Sequence, residues 1–297
     1  MLTRLFVGLQ HVVPQRLLSD LVLATTRWRF GPWKNALIRI LSRIYAIDLD
    51  EPARPAPHGY ESFADFFTRE LRPGARPLPE AAVTIACPAD GKISAMGPVD
   101  GDRVFQAKGH DYGLAELLAS EDEAARFEDG AFATIYLAPS NYHRVHAPVA
   151  GRLVETAYVP GKLFSVSPGT VDHLPGLFAR NERLVCLFDS EDFGRVAVIL
   201  VGAMLVSGIE TVWGGAEAHR DTLERIDRTG GDIQLERGDE LGRFNMGSTV
   251  ILLFQRDKVR LERLPAHTVV RMGQGLGQAN EPTAGVPGSN GTEDAGQ

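Results

Sequence analysis

Leu184-Val185-Cys186-Leu187-Phe188 is followed by Val196-Ala197-Val198-Ile199-Leu200-Val201-Gly202-Ala203-Met204, two short apolar runs rich in β-branched residues. Runs of this kind, separated by Gly and other turn formers, read as strands of a core. The same texture recurs at residues 83–85, 133–137, 153–159 and 249–254. It predicts an α+β chain whose core is mainly antiparallel β, with a few helices, one of them over residues 114–118. The 297 residues are 44% hydrophobic and 23% charged, an ordinary globular composition with enough chain for a sizeable core.

Two segments echo each other: Pro88-Ala89-Asp90-Gly91-Lys92-Ile93 and Pro148-Val149-Ala150-Gly151-Arg152-Leu153. Each reads as a turn entering a strand. A duplicated hairpin unit, resembling the barrel-sandwich folds of lipoyl and sugar-transport domains, is one reading; two unrelated turns are the other.

Upstream, the apolar period becomes helical. Leu2, Leu5, Phe6, Leu9, Val12 and Val13 recur until Pro14, Leu17, Leu18, Leu21 and Val22 follow, and Pro32 opens a third helix carrying Trp33, Leu37, Ile38, Leu41, Ile44 and Tyr45. No run reaches the roughly 18 to 20 apolar residues that span a bilayer. Gln10 and His11 interrupt the only candidate signal-peptide core. The net charge of −7 argues against nucleic acid as a partner, yet residues 1–45 carry seven Arg and Lys against Asp20 alone, about +6, leaving about −13 for the rest. One-sided charge beside Trp28, Phe30 and Trp33 suits helices lying on an anionic membrane surface. A helical layer packed on the protein core is the alternative.

Residues 48–58, rich in proline and acid, read as a linker, and residues 60–71, with Phe63, Phe66 and Phe67, as one short helix ended by Arg72-Pro73-Gly74. From Gly273 onward there is little to bury, which predicts disorder. The expected organisation is a helical membrane-association segment at 1–47, a catalytic domain at 48–272 and a disordered tail at 273–297. Cys87 and Cys186 lie in apolar surroundings without metal-ligand spacing, as buried free thiols of a reducing compartment do.

Three positions carry chemistry. In Gly242-Arg243-Phe244-Asn245-Met246-Gly247-Ser248-Thr249, Ser248 stands where a turn enters the apolar run 250–254. An ordinary strand entrance would look the same. His143 and His146, three apart in Tyr142-His143-Arg144-Val145-His146-Ala147-Pro148, would share one face of a helix and suggest zinc, but Pro148 and the preceding strand favour extended backbone. Asp90 precedes Gly91, where a turn aspartate bonding its own backbone is common. Together, one Ser, one His and one Asp at separate strand–turn junctions are the raw material of an activated nucleophile.

These segments, with Phe66-Phe67-Thr68-Arg69-Glu70-Leu71, Tyr158-Val159-Pro160-Gly161 and Phe178-Ala179-Arg180-Asn181-Glu182-Arg183, resemble the bacterial phosphatidylserine decarboxylase proenzymes. Six ordered motifs are far more specific than any one of them. Met246 stands where many relatives have leucine, a swap of similar volume.

The resemblance implies that Asp90, His146 and Ser248 drive self-cleavage at Gly247-Ser248, His146 taking the hydroxyl proton and Asp90 fixing its tautomer. Ser248 would become the cofactor, pyruvate in the form of a covalent pyruvoyl group derived from that serine, with no separate cofactor required. His143 would return a proton to the decarboxylated substrate. It further implies phosphatidylserine as substrate, two associated chains from one proenzyme, a homodimer of that unit, and a peripheral location on the cytoplasmic side of the cell membrane. Residues around Gly161-Lys162-Leu163-Phe164-Ser165-Val166 are candidates for the substrate entrance. The rival readings are a zinc hydrolase built on His143 and His146 and a non-enzymatic binding module.

Overall fold

The computed structural model describes residues 7–204, 208–217, 220–245 and 248–280. Residues 1–6, including Leu2, Leu5 and Phe6 of the first apolar period, lie outside them, as do Met246 and Gly247. Two N-terminal helices, α1 (Gln15–Arg27) and α2 (Gly31–Ile44), lead to a five-residue helix, α3 (Phe63–Phe67). Five strands follow: β1 (Thr84–Ala86), β2 (Gly91–Pro98), β3 (Arg103–Ala107), β4 (His110–Gly113) and, after helices α4 (Leu114–Leu118) and α5 (Glu121–Phe127), β5 (Ala131–Leu137). Then come β6 (Arg144–His146), β7 (Gly151–Val159), short helices α6 (Pro168–Val171) and α7 (Leu177–Arg180), β8 (Arg183–Ser190) and β9 (Gly194–Val201). The last strands are β10 (Ile209–Thr211), β11 (Gly215–Glu217), β12 (Glu224–Asp227), β13 (Gln234–Leu235), β14 (Glu240–Phe244), β15 (Ser248–Phe254), β16 (Val259–Leu261), β17 (Val269–Val270) and β18 (Gly275–Ala279).

The main sheet runs β12-β7-β8-β9-β15-β5-β2-β17, with β13 also on β7. A four-stranded sheet, β11-β10-β14-β6, and a three-stranded one, β1-β18-β16, complete the core, and the ladders described are antiparallel. All seven residues of β15 are buried, as are residues 196–201 of β9, which is why both read as continuous apolar runs without alternation. The run predicted to reach residue 204 stops as a strand at Val201, because the Asn181 side chain takes the Gly202 carbonyl at 2.9 Å.

Backbone bonds join the two echoing segments reciprocally. Ala86 N–H donates to the Pro148 carbonyl and His146 N–H to the Pro88 carbonyl, each at 2.8 Å. Cys87 N–H donates to Gln274 and Ala147 N–H to Asp239, while Gly273 and Gly238 donate back to Cys87 and Ala147. Downstream, Val270 pairs with Gly91 and Leu235 with Gly151. Each turn–strand unit is thus closed by a loop and a short strand in the same pattern.

Three expectations change. The linker at 48–58 is tied down: Ala53 N–H donates to Glu70 and Arg72 N–H to Glu51, and this pairing also confines the predicted 60–71 helix to Phe63–Phe67 behind the Ser62 cap. The tail reading fails at residues 275–279, which form the central strand β18 of its sheet. A Cβ at Gly277 would press on the backbone of Arg260 and Leu261, so the glycines that suggested disorder allow close approach, and Leu276 fills the core. Residues 281–297 lie outside the described residues. Finally, helices α1 and α2 are docked on the protein: Ile38, Phe63, Phe66 and Phe67 form a second buried cluster, while Leu17, Leu21, Trp28, Ile40 and Ile44 face outward.

A Cβ at Gly242 would meet the Glu210 carbonyl oxygen across the β10–β14 pair. Gly242→Ala is therefore expected to cost about 1–3 kcal/mol through forced backbone movement, measured by urea unfolding of wild type and variant.

Candidate active site

His146 ends β6, opposite Glu240 on β14. Its Nδ1 lies 2.8 Å from the Gly238 carbonyl, which can only accept, so Nδ1 carries the proton. The lone pair is then on Nε2, where the Tyr142 hydroxyl donates at 2.9 Å. Burial pushes the His146 imidazolium below the usual histidine range, opposed by the Gly238 bond, so the ring favours the neutral, basic form. Burial also raises the Tyr142 phenol, keeping it a donor.

Asp90 is buried and held on both oxygens. Arg76 binds it in a fork, Nε to Oδ1 at 2.9 Å and Nη2 to Oδ2 at 2.6 Å, and Met272 N–H donates to Oδ1 at 2.8 Å. Arg76 bonds Glu51 as well, at 3.0 and 2.8 Å. Burial alone would lower the Arg76 guanidinium, but its bonds to Asp90 and Glu51 outweigh that and raise it. Asp90 acts on His146 through its charge. The contact expected from Asp90 to fix the His146 tautomer is made by the Gly238 carbonyl, while Asp90 bonds Arg76 and Met272.

Ser248 is the first residue of β15, fully buried, with an Oγ that has no partner among the described residues. Its ladder partner is Leu137. Ala138, the next residue, accepts from His143 Nε2 at 3.1 Å, and Phe244 N–H donates to the His143 carbonyl at 3.0 Å. The segments 137–143 and 244–248 are therefore pinned together at both ends, which brings Ser248 and His143 to the same short stretch of structure. The Ala138 bond leaves the lone pair on His143 Nδ1, a buried atom without a partner. His143 stacks on Phe67 with ring centres 4.0 Å apart. Burial, reinforced by the nearby Arg69 charge, lowers the His143 imidazolium to about 3.

Several residues had no role in the sequence reading. Tyr142, Arg76, Gly238 and Arg69 all touch or tune the predicted groups. Arg69 is buried, donates to the Ser140 and Asn141 carbonyls at 3.3 Å, and pairs with no carboxylate among the described residues, so burial lowers its guanidinium. Arg144 links Glu240 at 2.6 Å to Glu70 at 3.0 Å, tying β6 and β14 to the end of α3. The motifs containing Arg69, Tyr142 and Arg144 were visible; their pairings needed the fold. Among the described residues no group of three or more His, Cys, Asp or Glu side chains is gathered to hold a metal, so the zinc reading has no support.

A family model described as phosphatidylserine decarboxylase matches residues 63–278, and a second, described as PSD, matches residues 5–46. The chain belongs to the phosphatidylserine decarboxylase family. A phosphatidylserine decarboxylase proenzyme of Xanthomonas euvesicatoria is 51% identical over 276 residues, covering 92% of this chain and 98% of that protein. Proteins of the same name from Ectopseudomonas mendocina and Methylococcus capsulatus are each 49% identical, over 93% and 92% of this chain and 98% and 96% of their own lengths. The matched residues 63–278 include Asp90, His143, His146 and Ser248.

Removing Arg76 would strand the Asp90 carboxylate in a buried site. Arg76→Met is expected to destabilise the fold by about 3–5 kcal/mol, and adding Asp90→Asn should recover part of it. Denaturant unfolding of the single and double variants measures this.

Proposed function

We propose that this protein decarboxylates phosphatidylserine to phosphatidylethanolamine at a membrane surface, after cutting itself between Gly247 and Ser248. The observation that carries the reading is a buried Ser248 hydroxyl with no partner among the described residues, at a strand entrance one residue after a glycine, in a chain of this family. A hydroxyl left unpaired inside a protein costs about 1–3 kcal/mol, so its presence calls for a use.

Ser248 Oγ attacks the Gly247 carbonyl carbon and the amide becomes an ester. Neutral His146 is the base, exchanging the Tyr142 hydroxyl at Nε2 for that of Ser248, or receiving the proton through it. The Gly238 carbonyl steadies Nδ1–H, and the Asp90 charge favours the imidazolium that forms. Elimination releases the Gly247 carboxylate, and water then converts the residual dehydroalanine to a pyruvoyl group with loss of ammonia. The site fits that group: the hydroxyl lost on conversion has no partner to forfeit among the described residues. When present, the pyruvoyl carbonyl supplies the electron sink for loss of carbon dioxide from a bound amino acid headgroup.

His143 is proposed to deliver a proton to the decarboxylated carbon. In the tautomer selected by Ala138, Nδ1 is a base, so it must first collect the proton that it returns. Phe67 excludes water from one ring face.

Cleavage gives chains of 247 and 50 residues. Residues 250–254 of β15 are buried between β9 and β5, each side chain worth about 1.5–3 kcal/mol of apolar burial, which favours lasting association. Two such units forming a homodimer would extend the family pattern. The barrel-sandwich reading of the echoing hairpins belongs here as well, supported by their reciprocal bonds. No described helix is long and apolar enough to cross a membrane. The outward apolar residues of α1 and α2 support peripheral attachment, and the two free cysteines favour the cytoplasmic side.

Intact mass spectrometry of wild type should find two chains, the smaller blocked at its start by pyruvoyl, whereas Ser248→Ala should remain one inactive chain. A single-chain wild type that turned over lipid would defeat the reading. Because the base form of His146 is favoured by its lowered pKa, the acidic limb of the cleavage-rate profile should lie below pH 6.5, with a plateau above it. A limb centred above pH 7, followed on denaturing gels, would remove His146 as the base.

A further inference from the structure

A cavity of about 1020 Å³ opens between the start of α1 and the 160–164 loop, lined among others by Arg16, Lys162, Phe164 and Arg180. Its residues include three cations and no acid. Arg16 is paired with Asp221 at 2.6 Å, but neither Lys162 nor Arg180 forms an ion pair among the described residues. The walls are fixed. Gln15 Oε1 accepts from Leu163 N–H and Gln10 Oε1 from Ser165 N–H, each at 2.8 Å, clamping the N-terminal segment onto the loop. Arg180 lies over the Phe164 ring at 5.1 Å, and Lys162 is bridged by its backbone to Asn181.

Asn181, fully buried next to Arg180, ties the loop beside this cavity to the end of β9. Its side chain bonds the Phe164 backbone on one side and the Gly202 carbonyl on the other, at 2.8 and 2.9 Å. Thr249 pairs with Val201, so Gly202 stands at the register position facing Ser248. Leu17, in the cavity wall, is exposed, as is Leu21 one turn further along the helix. Cations in a fixed cleft, an apolar rim above and the reactive serine reached through Asn181 and Gly202 match the order of parts in a glycerophospholipid: phosphodiester, acyl chains and headgroup amine.

We propose that Lys162 and Arg180 form a subsite for the phosphodiester of the lipid substrate, holding it while the headgroup reaches the position of Ser248. This deepens the decarboxylase reading and rests on it. A phosphate gains charge-assisted bonds from both side chains, the guanidinium as a fork and the ammonium as a point charge. The carboxylate that departs is better left away from such cations, since pairing it would stabilise the ground state.

The test uses the mature enzyme and a Lys162→Ala/Arg180→Gln variant. Both side chains are exposed and outside the cleavage machinery, so self-cleavage should proceed at the wild-type rate. With dihexanoyl phosphatidylserine as dissolved monomers, KM should rise about tenfold or more while kcat stays within about twofold. The dissociation constant of dihexanoyl phosphatidylethanolamine, read by calorimetry, should rise by a similar factor. Unchanged KM and binding for monomeric lipid overturn the subsite. A loss seen only on anionic vesicles overturns it too, and assigns the cations to membrane attachment. Wild type that cleaves itself yet leaves monomeric phosphatidylserine untouched would instead sink the substrate assignment.

Discussion

The geometry of the candidate site depends on one set of backbone hydrogen bonds, the crossing of the turns at Pro88 and Pro148. Proline has no N–H to offer, so each turn presents a carbonyl that the other segment's N–H must meet. The crossing places Asp90, from one unit, beside His146, from the other. It also determines what holds them. The loop closing the first unit brings Met272 N–H to the Asp90 carboxylate, and the loop closing the second brings the Gly238 carbonyl to His146 Nδ1–H. A donor goes to the anion and an acceptor to the imidazole. Two loops in equivalent positions thus supply the opposite polarities that the two side chains need.

Desolvation does the rest of the tuning. Arg76 is buried against two carboxylates and stays firmly charged, while Arg69 is buried with only carbonyls and an aromatic face. The unbalanced Arg69 charge falls on His143, where it adds to burial in keeping the ring neutral. An anion entering near Arg69 would relieve that effect and make His143 easier to protonate. Proton uptake at His143 would then be coupled to what occupies the site, without movement of the backbone.

The strands were readable because β9 and β15 are covered on both faces, which leaves little room for polar residues between the apolar ones. The helices α1 and α2 were readable from their period and from Pro32. The short helix α3 was overextended because nothing local reveals that residues 70–72 are claimed by residues 51–53. The strand β18 is hidden for the opposite reason: Gly277 looks like punctuation until the neighbouring backbone of Arg260 and Leu261 needs its missing side chain. At the site, Ser248, His143, His146 and Asp90 were named from motifs, but motifs identify residues and not bonds. That Arg76 occupies Asp90, or that a carbonyl 92 residues away fixes the His146 tautomer, depends on how loops distant in sequence meet in the fold.

The basic N-terminal segment shows how sequence charge and structural charge differ. Arg16, Arg27 and Arg29 meet Asp221, Glu210 and Glu61, so part of the asymmetry is answered within the chain. Exposed pairs of this kind contribute little to stability and are screened by salt. Helix α2 is held mainly by Ile38 against Phe63, Phe66 and Phe67, an apolar contact that involves no charge. Those ion pairs can therefore open as salt rises while α2 stays docked, leaving the crossing of the turns and the position of Ser248 undisturbed.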